Sequence, residues 1–178
     1  MKTSLIKASL LWLLLSTPLL FAQEVGEGLW GGYEGEWEHV SSQLIALAEA
    51  TPAANFAWRP APGVRSTSEV YMHLVTANFY MLDLAGQKAP AGVNRDMGKK
   101  ITSKAEVIEW LKRSLDAVKK AHSAATPDDL ARKVHLADGT DTTVGNVYLR
   151  VIVHNNEHMG QLVAYARMTG VVPPWSKN

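Results

Sequence analysis

The chain has 178 residues, 47% of them hydrophobic and 20% charged, with a formal net charge of +1 and no cysteine. That length and apolar content suit one domain with an ordinary core and exclude a disordered chain. Without cysteine there is no disulfide framework, no thiolate metal site, no cysteine nucleophile and no lipid-anchored cysteine, so any bound metal must be held by nitrogen and oxygen ligands.

The chain opens on MKTSLIK, which carries two lysines, and continues into the apolar run ASLLWLLLSTPLLFA before the polar Gln23-Glu24. A basic start, an apolar stretch and a small residue at Ala22 are the parts of a secretory signal peptide. Residues 1–22 are therefore expected to be removed, leaving a domain over 23–178. The apolar run is short for a transmembrane helix and has Pro18 near its end; an uncleaved N-terminal anchor is the alternative. Loss of Lys2 and Lys7 leaves 16 basic residues against 17 acidic ones. No basic stripe remains, which argues against a nucleic-acid partner. The expected location is outside the cytoplasm, periplasmic or secreted, with no stable membrane insertion after cleavage.

The first helix is expected from about 30 to 49, with Trp37, Val40, Leu44 and Ala48 on one face. It ends before TPAANFAWRPAPGVRS, whose three prolines and one glycine mark a long ordered loop. A capping box, Ser66-x-x-Glu69, opens the second helix, which runs to about Ala85 ahead of Gly86. Its expected inner stripe is Val70, His73, Ala77, Tyr80, Met81 and Leu84. The third helix opens at another box, Ser103-x-x-Glu106, and turns Val107, Ile108, Leu111, Leu115 and Val118 inward. Thr126-Pro127 has the form of an N-cap followed by a first helical residue. The piece KVHLADGTDTT, with its Asp138-Gly139 pair, suits a small hairpin or an irregular crossover. The fourth helix is expected from about Thr143 to Gly170, before Pro173-Pro174, with the stripe Val144, Val147, Val151, His154, His158, Leu162 and Tyr165. Four amphipathic helices without a run of strands predict an all-α, up-down four-helix bundle.

His154 and His158 lie on that inner stripe. Residues four apart project from one helix face about one turn apart, close enough for two imidazoles to reach one cation. His73 stands on the inner stripe of a second helix, and bundle cores build metal sites from facing helices. Burying three ionisable rings without a common partner costs free energy, and a shared cation would explain all three. Three imidazoles with open coordination positions resemble a catalytic site more than a closed structural one. Imidazole suits zinc, nickel, iron and copper. A lone histidine on an apolar face is more often a hydrogen-bonded core residue, so a purely structural cluster stays open on spacing alone.

WRPAPGVRS leading into a helix with Glu69 and His73, followed by HNNEHMGQLVAYARMTGVVPP, is similar to the DinB-like family of metal-binding four-helix bundles. The resemblance extends from about Trp30 to Pro174. It implies a four-helix bundle with a short hairpin or irregular crossover before the last helix, and one divalent transition metal, zinc, nickel or iron, held by His73, His154 and His158. The family usually carries Arg-Gly-Gln after the last histidine, whereas this chain has Met159-Gly160-Gln161, which puts a contact around the ligands or at a dimer surface in doubt. Members include thiol-dependent transferases and isomerases, and homodimers are common among them. An exported protein sits badly with low-molecular-weight thiols of the reducing cytosol.

The expected function is therefore that of an exported metal-dependent hydrolase or group transferase on an unknown small-molecule substrate. The alternatives are a non-catalytic metal-binding bundle and a structural one. Gln161 shares the histidine face and is the expected supporting residue behind the ligands. Asn78, Tyr80 and Asp83 are the other polar residues nearest that face. Glu157 projects about 100° from His158, which places it off the site. His39 and His135 are expected at the surface or in loops. His122, in the last turn of its helix, is expected as a protonated ring favoured by the helix dipole. Trp58, Arg59 and Arg65 could line a substrate mouth, or Trp58 could lie as a lid on the bundle while Arg65 pairs with a carboxylate. Trp175 is expected to cover a bundle end, and the tyrosines and methionines at helical spacing to be core.

Overall fold

The structure is a computed structural model that describes residues 32–176. The signal-peptide reading of 1–22 and the start of the first helix near Trp30 lie outside the described residues. In chain order come α1 (Tyr33–Ala50), a 3-10 turn (Ala53–Ala57), α2 (Thr67–Leu84), a short α3 (Met97–Lys100), α4 (Lys104–Ser123) and a short α5 (Pro127–Ala131). A hairpin of β1 (Lys133–His135) and β2 (Asp141–Thr143), the long α6 (Val144–Met168) and a 3-10 turn (Pro174–Ser176) follow. The all-α four-helix bundle is the observed architecture, formed by α1, α2, α4 and α6. No helix among the described residues is long and apolar enough to cross a membrane.

Local chemistry sets the ends of these helices. Ser66 and Glu69 form a complete capping box at the start of α2. Thr126 and Asp129 form another on α5, with Pro127 in its first turn. At α4 only half of the expected box forms, because the Glu106 carboxylate accepts from the Ser103 hydroxyl rather than from its backbone N–H. Both α2 and α6 end at a glycine with positive φ, Gly86 at 90° and Gly170 at 79°. In each case the two following N–H groups turn back onto the last turn, Gly86 to Asp83 and Gln87 to Leu82, and Gly170 to Arg167 and Val171 to Ala166. That six-to-one closure needs a left-handed residue, which a side chain disfavours. The Asp138-Gly139 segment is the hairpin turn, with Lys133 opposite Thr143 and His135 opposite Asp141.

Contacts along the helices fix their directions. Lys119 pairs with Glu38 and Lys112 with Glu49, each at 2.7 Å, so α4 runs antiparallel to α1. The Tyr165 hydroxyl, late in α6, donates to the Arg65 carbonyl ahead of α2 at 3.2 Å, so α6 runs antiparallel to α2. Tyr33 and Tyr148 meet edge to face at 5.8 Å, which brings the starts of α1 and α6 together. The path is thus up, down, down, up, which differs from the expected up-down alternation between α2 and α4 because a long crossover joins them. The long crossover between α2 and α4 carries the chain back to the far end, with α3 lying against α2. The main contacts join α2 to α4 and α6, and α1 to α4 and α6, leaving α1 and α2 on a diagonal.

The core contains every expected inner residue of α1, with Trp37, Val40, Leu44 and Ala48 all buried. On α2 the expected stripe holds at Val70 and Met81, which are buried, and is rotated elsewhere. Leu74, Val75, Asn78, Phe79 and Leu82 are buried, while Tyr80 is 49% exposed and His73 and Ala77 are half-buried. A helix that packs on α3, α4 and α6 is apolar on most of its circumference, which blurs the periodicity that marks a core face.

His122 also differs from expectation. Its ring stacks on Tyr33 at a centroid distance of 3.7 Å and meets Tyr148 edge to face at 5.1 Å. Both ring nitrogens are buried and have no hydrogen-bond partner among the described residues. Burial holds its pKa below the ordinary histidine value, against the opposing pull of Glu34. The ring is therefore neutral, because desolvation outweighs the helix dipole. As pH falls below about 6.5 the unfolded chain takes up a proton before the folded one does. Stability is then lost from about pH 6.5 downward, through the lower folded value. His122→Phe keeps the stack and removes the titration. Thermal melts at pH 7.5 and pH 5.5 are expected to show the variant gaining on the parent at the lower pH. An advantage that is the same at both pH values would rule this out.

Candidate metal centre

The side of α2 that does not face the core holds His73, and the facing side of α6 holds His154 and His158. The three rings are half-buried and mutually near-perpendicular, with centroids 5.0 Å apart for His73 and His154, 4.8 Å for His73 and His158, and 4.6 Å for His154 and His158. One nitrogen from each ring can be chosen so that all lie within 4.8 Å of one another, the arrangement of a group that could hold a metal ion. Nitrogens about 2.1 Å from one ion are at most about 4.2 Å apart. To close on one ion the rings would have to draw their nitrogens together.

The hydrogen bonds determine which nitrogen of His158 is available. The Arg65 carbonyl can only accept, so the Tyr165 hydroxyl donates to it at 3.2 Å. That hydroxyl therefore accepts from the Gln161 amide nitrogen at 2.8 Å, and the Gln161 oxygen faces His158 Nδ1 at 2.7 Å. An amide oxygen needs a donor, so Nδ1 of His158 carries the hydrogen and Nε2 keeps its lone pair. Gln161 thus has the supporting contact expected of it. Tyr165 extends that support, a role its place in the core stripe did not suggest.

His154 is held by a different partner. Its Nδ1 lies 3.6 Å from Glu157 Oε2, too far for a direct hydrogen bond but close enough for the carboxylate to favour a hydrogen on Nδ1. Arg150 grips the same carboxylate with two bonds of 3.0 and 3.1 Å. The expectation that Glu157 lies off the site is corrected here. It points away from His158, as helical spacing demands, but three residues from His154 it is that ring's neighbour. Nε2 of His154 is buried and has no hydrogen-bond partner among the described residues. Such an orphaned acceptor is costly unless something outside the chain satisfies it.

The surroundings of His73 and His154 favour neutral imidazoles. Burial, the Arg65 guanidinium and the other two rings push the His73 pKa down to about 4. Burial, His158 and Arg150 lower that of His154, with Glu157 opposing. Neutral rings are the state in which imidazole binds metal.

Asn155, one residue from His154, faces the opposite way into the core. Its amide donates to Asn78 Oδ1 at 2.7 Å, and Asn78 donates in turn to Ser114 Oγ at 3.3 Å. This fully buried chain pins α6 to α2 and α4 at the level of the histidines. Asn78 is therefore a core tie and does not line the site. Met159, where the resembled pattern has arginine, packs partly buried against the core.

Two cavities open onto the cluster. One, of about 570 Å³, lies between α2, the loop before it and the crossover, and reaches His73. The other, of about 550 Å³, lies between α2, the hairpin and α6, and reaches His73 and His154. Tyr80 lines both. Trp58 packs edge to face on Tyr165 at 5.1 Å, as a lid would. It is Arg59 that pairs with Glu69, at 3.1 Å, whereas the carboxylate partner expected for Arg65 is not found among the described residues. Trp175, in the last 3-10 turn against α1, is 40% exposed.

The model of the DinB superfamily matches residues 36–162, most of the chain. The chain belongs to this superfamily. Among curated proteins none matches it. A DinB-like protein from Bacillus cereus is 21% identical, with a TM-score of 0.71 over 81% of this chain and 95% of that one. A DinB-like protein from Bacillus subtilis, YjoA, is 16% identical, with a TM-score of 0.62 over 79% and 93% of the two chains. YfiT from Bacillus subtilis, described as a probable metal-dependent hydrolase with an unusual four-helix bundle topology, is 13% identical, with a TM-score of 0.62 over 80% and 88%. At these identities the likeness of this superfamily member to the three structures is one of fold.

Proposed function

We propose that this DinB superfamily member binds one divalent transition metal through His73, His154 and His158, and acts as a metal-dependent hydrolase or group transferase on a small substrate. The observation that carries the reading is the orphaned Nε2 of His154, beside the His73 and His158 rings in a cluster reached by two cavities. The description of YfiT supports it. The donor set fits zinc, nickel or iron. When bound, the cation would supply Lewis-acid polarisation of a substrate oxygen and activation of water. The chain's own part is to hold the rings oriented, through Gln161 and Tyr165 at His158 and through Glu157 and Arg150 at His154, and to keep His73 and His154 neutral. The nearby carboxylates are already engaged, Glu69 by Arg59 and the Ser66 N–H, and Glu157 by Arg150. The cavities favour catalysis over a closed storage site. The N-terminal segment 1–22 supports export as part of the same proposal.

The test is elemental analysis of protein purified without chelator, followed by a panel of ester, amide and phosphate substrates with the metal present and removed. About one equivalent of metal and turnover that disappears with it are expected. Protein that takes up none of zinc, nickel, iron or copper would overturn the metal reading. Metal without turnover on any of the panel would favour the non-catalytic bundle.

A further inference from the structure

The two cavities that meet at His73 differ in charge. The hairpin-side cavity is walled by Met81, Leu84, Leu136 and Val147, and its one cation, Arg150, is spent on Glu157. The crossover-side cavity is lined by Arg59, Arg65, Arg95 and Lys99 against a single carboxylate, Glu69. Glu69 neutralises Arg59 at 3.1 Å, and Lys99 lies 3.9 Å from Asp96. Arg65 and Arg95 remain. Their guanidinium groups have no ion-pair partner among the described residues, although the whole chain carries a net charge of only +1. They stand on separate segments, the loop before α2 and the crossover before α3, and the fold brings both to the mouth of one cavity that ends at His73.

From this placement we propose that the crossover-side cavity is an anion subsite, in which Arg65 and Arg95 receive a carboxylate or phosphate of the substrate while its apolar portion lies toward the hairpin-side cavity. This rests on the reading of the histidine cluster as the reacting centre and names the class of substrate it takes: a small molecule with an anionic head and an apolar tail. Guanidinium suits the task, since its planar fork matches both oxyanions and stays charged at any working pH. Tyr80, held out of the core and lining both cavities, is placed to pack on the segment between head and tail.

The experiment uses calorimetric titration of the full chain, first freed of metal by chelator and then loaded with zinc. The probes are 3-phenylpropionate, its neutral analogue 3-phenylpropanamide, and phenyl phosphate. In the metal-free protein the carboxylate is expected to bind at least about tenfold more tightly than the amide, a difference of about 1.4 kcal/mol. Arg65→Ala/Arg95→Ala is expected to abolish that preference, whereas Arg113→Ala/Arg167→Ala, which removes the same charge elsewhere on the surface, preserves it. Comparison of phenyl phosphate with 3-phenylpropionate tells which oxyanion the subsite prefers. All four arginines are exposed, so circular dichroism is expected to be unchanged. Equal affinity for acid and amide in the metal-free parent would overturn the subsite. So would a preference that appears only with zinc and survives loss of Arg65 and Arg95, since the carboxylate would then be a metal ligand. Because the decisive titration contains no metal, failure of the metal reading and failure of the subsite give separate results.

Discussion

Alanine at both His154 and His158 is expected to reduce bound transition metal from about one equivalent to none, while the metal-free variant melts at or above the temperature of the metal-free parent. Two effects act in opposite directions. Removing two of three ligands destroys the site. In the absence of metal, however, the parent half-buries three rings, two of which, His73 and His154, have depressed pKa values, and His154 Nε2 has no hydrogen-bond partner among the described residues. Alanine relieves that cost and is the better helix former. Metal is thus expected to widen the gap the other way. At a concentration a thousandfold above its dissociation constant it adds about 4 kcal/mol to the parent and nothing to the variant. Gln161→Ala should give an intermediate result, with all ligands present but His158 unsupported and affinity about 10- to 100-fold weaker. Elemental analysis and melts with and without zinc check all three. A variant that keeps its metal would show that the ion sits elsewhere.

Trp37→Ala is expected to cost about 3–5 kcal/mol, the largest stability loss from any single substitution considered. Trp37 is 2% exposed, lies early in α1 against α4 and donates its indole N–H to the Leu115 carbonyl at 3.2 Å. Truncation removes the largest side chain buried in the core and leaves a cavity between two long helices that cannot close up around it. Trp37→Phe keeps a ring in place and should cost only about 1–2 kcal/mol. Urea denaturation followed by circular dichroism measures both. A loss below about 1 kcal/mol for the alanine variant would mean that the centre of the core lies away from Trp37.

Much of the candidate metal centre is legible along the chain because its logic is local. Two histidines four apart must share a helix face, and Gln161, three residues on, must be able to reach His158. Glu157 shows how that logic is misapplied. Measured from His158 it points away, yet measured from His154 it is a neighbour at the same kind of spacing. His122 was misread because a helix dipole is a local property, whereas the burial that outweighs it comes from Tyr33 and Tyr148 on two other helices. The arginines of the crossover-side cavity carry no pattern at all, being about thirty residues apart in segments without periodicity.

By itself the sequence determined the four long helices, the capping box of α2, the glycine stops of α2 and α6, a hairpin or irregular crossover at Asp138-Gly139, and which faces of α1 and α6 turn inward. These follow from backbone geometry and side-chain spacing within a few turns. The tertiary structure alone decided the up, down, down, up path, the rotation of α2 that places His73 at the edge of the core, the Asn155–Asn78–Ser114 tie that sets α6 against α2 and α4, and the meeting of Arg65 with Arg95. Each of these depends on contacts between residues far apart in the chain, and a periodic pattern records that a face is buried without recording what buries it.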